Sequence, residues 1–405
     1  MKTVMRVCAV AGADASSVVQ VLLERLTRIL AEVQKNPRNP MFNHYLFETI
    51  AVLVRSVCSQ DRGQVDAFEA VLFGPFEVML AMEQCAEFGP YVFQILGQLL
   101  ALHEQVPPTY EEMFPLLLSP AMWSQSGSIQ ALSQLIQVYL SKPTFASAVA
   151  SSERLEPVLG VFQKLISSKL NDKYGFVILR SLVHRAPWQN LAGLFPKVVT
   201  LLLQRAKSSM TVQFQRQFVA FLSDFACTRG VEILVGVLES IQPGLSSNVI
   251  SQIWLRYSPD VSDPLERKVV VLGLAHLVAK APVMLSGALA DVWPHALCTL
   301  VDMLEDGVNG SKAKQKSRDE VSEEMLDRLQ EQGGYSNVYS RLAFALNERV
   351  DEYPSIEPAV FFVSSLADLC RSHPGQLQAR VQQALNASQM QVLQTMLQKH
   401  NVSLV

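Results

Sequence analysis

Apolar side chains recur at helical spacing along nearly the whole chain. Three such faces are Val18, Leu22, Leu23, Leu26 and Leu30; Phe47, Ile50, Ala51, Val54 and Cys58; and Phe162, Leu165, Ile166 and Leu170. This spacing places the apolar groups on one side of an α-helix, whereas the alternation typical of strands is hard to find. The pattern predicts an all-α protein.

Short segments with helix-stop signals separate the predicted helices. They are residues 36–40, 106–108, 141–143 and 186–187, and each contains proline. Proline disfavours continuation of the preceding helix. Because connections this short join antiparallel neighbours, we expect helices of roughly 12–20 residues packed side by side.

Prolines near the predicted helix starts recur at an almost constant interval. Pro75, Pro115, Pro157 and Pro196 are separated by 40, 42 and 39 residues, and Pro243 and Pro294 follow after 47 and 51. Scattered prolines also give some near-even spacings, but an aromatic residue precedes Pro115, Pro196 and Pro294 alike. A repeat of about 40–47 residues built from helix pairs is the HEAT/armadillo period. The sequence therefore predicts that residues 1–405 form a HEAT-repeat α-solenoid, a right-handed superhelix of about nine to ten antiparallel helix pairs.

Residues 2–10 already have the pattern of an apolar helix, without a capping residue or a polar outer face. Because the ends of a solenoid need a polar capping repeat, we expect that N-terminal repeats are missing before this helix.

Residues 305–334 interrupt the helical pattern with a charged insertion between repeats. Its basic residues are Lys312, Lys314, Lys316 and Arg318, and a group of acidic residues follows them. A solvated loop is the plain interpretation, and a partner-contacting insertion is the alternative, since long loops in compact proteins are often functional.

Charge and cysteine content narrow the function classes. A net charge of −3 gives no reason to expect nucleic acid as the ligand. The six cysteines have no zinc-type spacing, so we expect free thiols, mostly buried, in a reducing compartment. The most apolar stretch, 269–293, contains charged residues and Pro282. It predicts two buried helices joined at Ala281-Pro282 rather than a membrane span.

Catalytic motifs are absent from the sequence. His103-Glu104 is a single His-Glu dipeptide, and a HEAT-like metal enzyme would need several; Pro107 stands where H-E-x-x-H needs its second histidine. We expect His103 to be a partly exposed histidine at a helix end. No phosphate-binding or nucleophile motif occurs either, so the sequence predicts a protein that is not an enzyme and has no cofactor or metal.

Several segments, in order, resemble the CAS-type nuclear export receptors, the importin-α re-exporters of the importin-β (karyopherin) superfamily, in their C-terminal half. The segments are 36–37 with 42–48 (FNHYLFE), 90–94 (PYVFQ), 160–166 (GVFQKLI) with 168–169 and 171–172, 175–176, 241–243, 334–335 and 342–345 (LAFA). The resemblance extends over essentially the whole chain and implies a HEAT-repeat fold.

The resemblance also implies a function. Receptors of this kind bind importin-α together with Ran-GTP, pass nuclear pore proteins and shuttle between nucleus and cytoplasm. Two departures are visible: the family's chains are longer, with N-terminal repeats that make the main Ran contact, and its insertion is chiefly acidic, whereas here it begins with Lys312 to Arg318. The alternative is a constitutive HEAT scaffold that holds a multiprotein complex independently of Ran.

Overall fold

The computed structural model describes residues 1–309, 341–345, 351–373 and 375–404, and within these ranges the regular structure is entirely helical. The helices up to residue 185 are α1 (Lys2–Ala11), α2 (Val19–Lys35), α3 (Pro40–Leu53), α4 (Val65–Ala81), α5 (Gly89–Leu102), α6 (Pro108–Leu117), α7 (Ile129–Ser141), α8 (Pro143–Ala150), α9 (Leu155–Ile166) and α10 (Asp172–Arg185). The others are α11 (Trp188–Leu191), α12 (Phe195–Ser208), α13 (Val212–Arg229), α14 (Val231–Ile241), α15 (Leu245–Val249), α16 (Pro264–Ala279), α17 (Trp293–Asn309), α18 (Pro358–Ser372), α19 (Gln376–Ala384) and α20 (Ala387–Lys399). The prediction of an all-α protein is confirmed for the described residues.

The chain forms two compact units, which we call unit 1 (residues 1–161 and 317–349) and unit 2 (residues 162–316 and 350–405). In unit 1, the helices α1, α3, α5 and α7 pack on one another in succession, and α2 and α4 pack together beside them. In unit 2, α10, α13, α16 and α18 form the corresponding succession. We call each succession row one of its unit. We call the helices outside row one the second layer of their unit. In unit 2, α12, α14 and α15 follow one another, and α17 packs on α19 and α20.

Local sequence explains where the row-one helices begin. Asn39, Thr211 and Asp263 precede α3, α13 and α16, and each side chain accepts a hydrogen bond from the backbone N–H three residues later. These residue types satisfy donors that a helix start leaves free. Proline at the first position of α3 and α16 adds a backbone angle that already suits a helix. The predicted break at 36–40 is confirmed, because α2 ends at Lys35 and α3 begins at Pro40. The predicted break at 186–187 is confirmed as well, because α10 ends at Arg185 and α11 begins at Trp188.

The helices α13 and α16 approach so closely that a glycine is required between them. A Cβ atom on Gly273 of α16 would lie 2.4 Å from both Cα and Cβ of Ser223 on α13. Trp254 donates its ring N–H to the hydroxyl of the same serine over 2.8 Å. The backbones of the two helices are therefore in direct contact at this point.

The predicted position of prolines at helix starts is wrong for two of them. Pro75 lies inside α4 and Pro115 lies inside α6, whereas Pro157, Pro196 and Pro294 lie in the first turn of their helices. Gly74 precedes Pro75, and a residue without Cβ avoids much of the clash with the proline ring that normally ends a helix. A proline in these repeats thus does not always begin a helix.

Other local expectations were also wrong. Val18 and Leu170 lie outside α2 and α9 and are 51% and 82% exposed. Residues 282–292 form two short 3₁₀ turns, Pro282–Leu285 and Gly287–Leu289, instead of a second buried helix. The turn at Gly287 needs φ of 59°, which disfavours a continuous helix. The helices α8, α11 and α15 are shorter than expected. The helix α17 continues to Asn309, and the rest of the predicted insertion 305–334 lies outside the described residues, so its bounds stay a prediction.

The N-terminal helices expose apolar side chains, as the pattern of residues 2–10 predicts. Val7 and Val10 of α1 are 61% and 89% exposed. Among the described residues, the stretch Lys2–Lys35 is long and apolar enough to cross a membrane by length and composition, and 22% of its most apolar window is buried. The pair Val231–Ile241 and Leu245–Asp260 passes the same test only when counted together across a bend of 115°.

All six cysteines are free thiols, as predicted. Four of them, Cys8, Cys58, Cys85 and Cys370, are buried, and the other two are half-buried. Burial is the main cause that raises the pKa of the Cys58 thiol to about 12. The thiol therefore stays protonated, and the side chain behaves as a small apolar group.

Candidate protein-binding face

The row-one helices carry polar side chains that hold a stretch of chain distant in sequence. We call this stretch the return segment and define it by its described residues, 341–345 in unit 1 and 351–357 in unit 2. It follows the charged insertion in the sequence. In each unit, the polar groups of row one that bind it therefore mark a surface to which a distant part of the chain is already bound.

In unit 1, one buried carboxylate holds the backbone of the return segment. Glu48 of α3 is 2% exposed. Its Oε1 accepts the N–H of Ala343 over 2.6 Å, and its Oε2 accepts the N–H of Phe344 over 3.3 Å. We call this arrangement the Glu48 anchor. Because Glu48 binds backbone N–H groups, this contact depends on the backbone conformation of the return segment and not on the identity of its side chains.

Two glutamines of α5 complete the unit 1 contact. Gln94 Oε1 accepts the N–H of Leu342 over 2.9 Å, while its amide nitrogen donates to the carbonyl of Pro90 over 2.7 Å. Gln98 Nε2 donates to the carbonyl of Phe344 over 3.2 Å and to that of Ala51 over 3.0 Å. Three consecutive backbone N–H groups, those of 342–344, are thus bound by side chains of two neighbouring helices.

Burial dominates the electrostatics of the Glu48 anchor. Removal from water raises the pKa of Glu48 to about 7, and the two N–H groups of the return segment oppose this rise only in part. The nearest histidine nitrogen, Nε2 of His44, lies 3.7 Å from Glu48 Oε1. Glu48 therefore changes its charge near neutral pH.

In unit 2, a buried carboxylate holds the return segment through a side chain. Asp224 of α13 accepts hydrogen bonds from Arg180 Nε over 2.9 Å, from His184 Nε2 over 2.7 Å and from the Tyr353 hydroxyl over 2.9 Å. The Tyr353 hydroxyl also lies 3.1 Å from the hydroxyl of Thr228. We call this arrangement the Asp224 anchor. Burial alone would raise the pKa of Asp224, but the charge of Arg180 and the contacts with His184 outweigh it and lower this pKa to about 2.

Lys268 of α16 holds the backbone beside that tyrosine. Its ammonium group donates to Asp351 Oδ2 over 2.6 Å and to the carbonyl of Tyr353 over 2.7 Å. Asp351 Oδ1 in turn accepts the N–H of Tyr353 over 2.9 Å. At the solvent side, Arg185 pairs with Glu352 over 3.4 Å, and their side chains are 41% and 31% exposed. The return segment is thus attached to three successive row-one helices of unit 2.

The arrangement suits binding rather than catalysis. Both central carboxylates already accept several hydrogen bonds, and burial raises the pKa of the Cys227 thiol beside Asp224 and Tyr353, which keeps this thiol protonated. Backbone groups, exposed ion pairs and a broad helical surface are what such a face offers to another protein.

The residues singled out from the sequence have different outcomes. Lys312, Lys314, Lys316 and Arg318 lie outside the described residues, so their predicted contact with a partner stays a prediction. His103 lies at the end of α5 with 19% of its side chain exposed, as predicted, but its partner is Glu69 rather than Glu104.

Sequence reasoning did not single out Glu48, Asp224 or Tyr353. A signal for the first was present, because the resembling segments 42–48, 90–94 and 342–345 contain Glu48, Gln94 and the backbone that both bind. No comparable signal marked Asp224 or Tyr353.

Comparison with known proteins gives a consistent result. A family model described as "CAS/CSE protein, C-terminus" matches residues 1–396. Curated relatives named Exportin-2 are similar over 408 residues, which is 100% of this chain and 41% of theirs: the Xenopus laevis protein is 33% identical and the Homo sapiens protein 31%. The chain thus spans about two fifths of the length of these relatives.

Among solved structures, one described as "The exportin Cse1 in its cargo-free, cytoplasmic state" matches with a TM-score of 0.78 and 22% identity, over 97% of this chain and 39% of that one. This likeness concerns the fold, and the predicted HEAT-repeat α-solenoid is confirmed.

Proposed function

The chain belongs to the CAS/CSE protein family, and from this membership we propose that it is the cargo-holding part of a nuclear export receptor. In this proposal it binds importin-α cooperatively with Ran-GTP and returns importin-α from the nucleus to the cytoplasm. The observation that carries the proposal is the family match along residues 1–396. The function needs no cofactor and no catalytic residue.

The row-one faces support this function, because they already bind a part of the chain that is distant in sequence. Glu48 and Gln94 together bind three consecutive backbone N–H groups, and the Asp224 anchor binds the hydroxyl of a tyrosine. We propose that importin-α contacts row one beside the return segment. In unit 2 the exposed pair of Arg185 and Glu352 lies at the edge of that area.

Cooperation between importin-α and Ran-GTP is a binding linkage in this proposal. If Ran-GTP raises the affinity for importin-α, then importin-α raises the affinity for Ran-GTP by the same factor. A shuttling receptor gains directionality from this reciprocity, because loss of the GTP form weakens the hold on cargo. The proposal also includes contact with nuclear pore proteins, location in nucleus and cytoplasm, and neither nucleic-acid binding nor membrane insertion.

A titration tests the proposal directly. Fluorescence anisotropy of labelled cargo-free importin-α is measured against this chain, with Ran-GTP, with Ran-GDP and without Ran. A second arm joins the chain to the preceding part of Xenopus laevis Exportin-2. We expect affinity that Ran-GTP raises about fivefold or more, the lower range of allosteric coupling.

Matched variants locate the contact. Reversing the charge of Arg185 by Arg185→Glu is expected to weaken importin-α binding. Lys35→Glu is the control, because Lys35 is also the basic partner of a surface ion pair, with Glu32, but lies on the second-layer helix α2. No binding in either arm contradicts the proposed function. Binding that is indifferent to the nucleotide on Ran in both arms supports the constitutive scaffold instead.

A further inference from the structure

Three metal-ligating side chains that belong to neither anchor converge in unit 1. Asp66 and Glu69 are three residues apart on α4, so their carboxylates emerge on one side of the helix. His103 caps the C-terminal end of α5. One ligand atom from each of the three residues lies within 4.8 Å of the other two.

Two of these groups are fixed in place. Glu69 is 8% exposed, and its Oε1 lies 2.8 Å from His103 Nε2 and 2.9 Å from the hydroxyl of Tyr110, which donates to it. Tyr110 itself is fully buried. A carboxylate ligand held by an outer hydrogen bond of this kind is the usual arrangement around protein-bound metals.

The third group, Asp66, lies at the surface of unit 1. Asp66 is exposed, so its carboxylate can turn toward the other two ligands. The nearby Lys142 donates its ammonium group to the backbone carbonyl of His103, so its donors are directed to the backbone. Glu104, the neighbour of His103 in sequence, is exposed and does not belong to the cluster.

We propose that Asp66, Glu69 and His103 form a binding site for a divalent transition-metal ion of the zinc type, with water as the fourth ligand. One imidazole nitrogen and two carboxylate oxygens are ligands that Zn²⁺ accepts at about 2.0–2.2 Å. Binding moves Glu69 and His103 slightly apart, because the ion replaces their direct hydrogen bond. The site joins α4 to the end of α5 and is independent of the proposed transport function.

A purely structural network of Glu69, His103 and Tyr110 is the competing explanation, and it gives Asp66 no role. The test uses the full chain after dialysis against a chelator. Zn²⁺ is titrated by isothermal calorimetry, and Co²⁺ is titrated by visible absorption, which reports the geometry of the bound ion. We expect one strong site per chain.

Variants separate the two explanations. Asp66→Asn changes an exposed residue outside the hydrogen-bonded network, so the fold is retained, and we expect Zn²⁺ affinity to fall about 100-fold or more, since even outer-shell changes cost about 10–100-fold. His103→Gln is expected to have a similar effect while an amide N–H still donates to Glu69. Glu104→Gln is the matched control and should bind as the wild type does.

The outcomes that overturn the site are equally definite. Absence of a stoichiometric strong site in the wild type overturns it. So does unchanged affinity in Asp66→Asn. An equal loss in Glu104→Gln also overturns it, because such a loss reports the general negative charge of the region rather than three ligands.

Discussion

The Glu48 anchor and the Asp224 anchor hold parts of the same return segment with opposite electrostatics. Both centre on a carboxylate buried in a row-one helix, with exposure of 2% and 0%. Glu48 receives only N–H groups from the return segment, and its pKa rises to about 7. Asp224 receives Arg180, His184 and Tyr353, and its pKa falls to about 2.

The difference shows that burial alone does not decide whether a carboxylate stays charged. Neutral donors compensate a buried charge incompletely, whereas a guanidinium group compensates it fully. In unit 1 the attachment therefore carries a group that titrates near neutral pH. In unit 2 the attachment keeps its charge over the whole physiological range.

The largest effect is expected from removing the charge of the Asp224 anchor. Asp224→Asn leaves the Arg180 guanidinium, 21% exposed, without its anion, and breaking such a buried pair costs about 3–5 kcal/mol. Urea unfolding followed by circular dichroism measures the loss. Asp368→Asn is the control, because its pair with Arg371 is exposed and contributes about 0–1 kcal/mol.

The same variant tests the sign of the pH dependence. The folded pKa of Asp224 lies below its ordinary value of 3.8, so its contribution is present above pH 3.8 and is lost as pH falls toward 2. Asp224→Asn should lack this part of the acid response. A cost below about 1 kcal/mol at pH 7 would show that the buried pair does not support unit 2.

The next largest effect is the opposite pH dependence at Glu48. Its folded pKa of about 7 exceeds the ordinary value of 4.5, so the unfolded chain loses this proton first and stability falls as pH rises from 4.5 to 7. At about 1.4 kcal/mol per pH unit, the wild type loses roughly 3 kcal/mol over this window.

Glu48→Gln, which keeps one acceptor oxygen, should remove that loss. Urea unfolding at pH 5 and pH 8 measures the difference between variant and wild type at each pH. Glu32→Gln, at a 72% exposed position, is the control. Parallel pH profiles of Glu48→Gln and the wild type would contradict the assignment of a neutral-pH titration to Glu48.

The smallest effect concerns the side chain that the Asp224 anchor binds. Tyr353→Phe removes the hydroxyl that contacts Asp224 and Thr228 and should cost about 1 kcal/mol. Hydrogen exchange of the amides in 351–357 should become faster. Tyr257→Phe in the same unit is the control. If Tyr353→Phe exchanges like the wild type while Tyr353→Ala exchanges faster, ring packing and not the hydroxyl holds the segment.

The helical fold could be predicted because its cause is local. Apolar spacing within each helix and proline between helices act over a few residues, and the boundaries at Pro40 and Trp188 follow from them. The error at Pro75 has a similarly local cause, since Gly74 makes an internal proline tolerable there. Local pattern does not show whether a proline begins a helix or lies within it.

The candidate face could not be predicted from pattern, because its contacts join residues far apart in sequence. Glu48 and Ala343 are 295 positions apart, and Asp224 and Tyr353 are 129 apart. Only the family resemblance singled out the two segments, 42–48 and 342–345, that contain Glu48 and Ala343. The cluster of Asp66, Glu69 and His103 could not be predicted for the same reason, because Glu69 and His103 are 34 positions apart.

Gly273 has a consequence for the return segment. Tyr353 is tied at its hydroxyl to Asp224 on α13 and at its carbonyl to Lys268 on α16. Backbone contact at Gly273 sets the distance between these two helices. Tyr353 therefore connects α13 and α16 across a fixed distance. Any movement that increases this distance must release one end of the tyrosine. The spacing of α13 and α16 and the attachment of the return segment therefore change together.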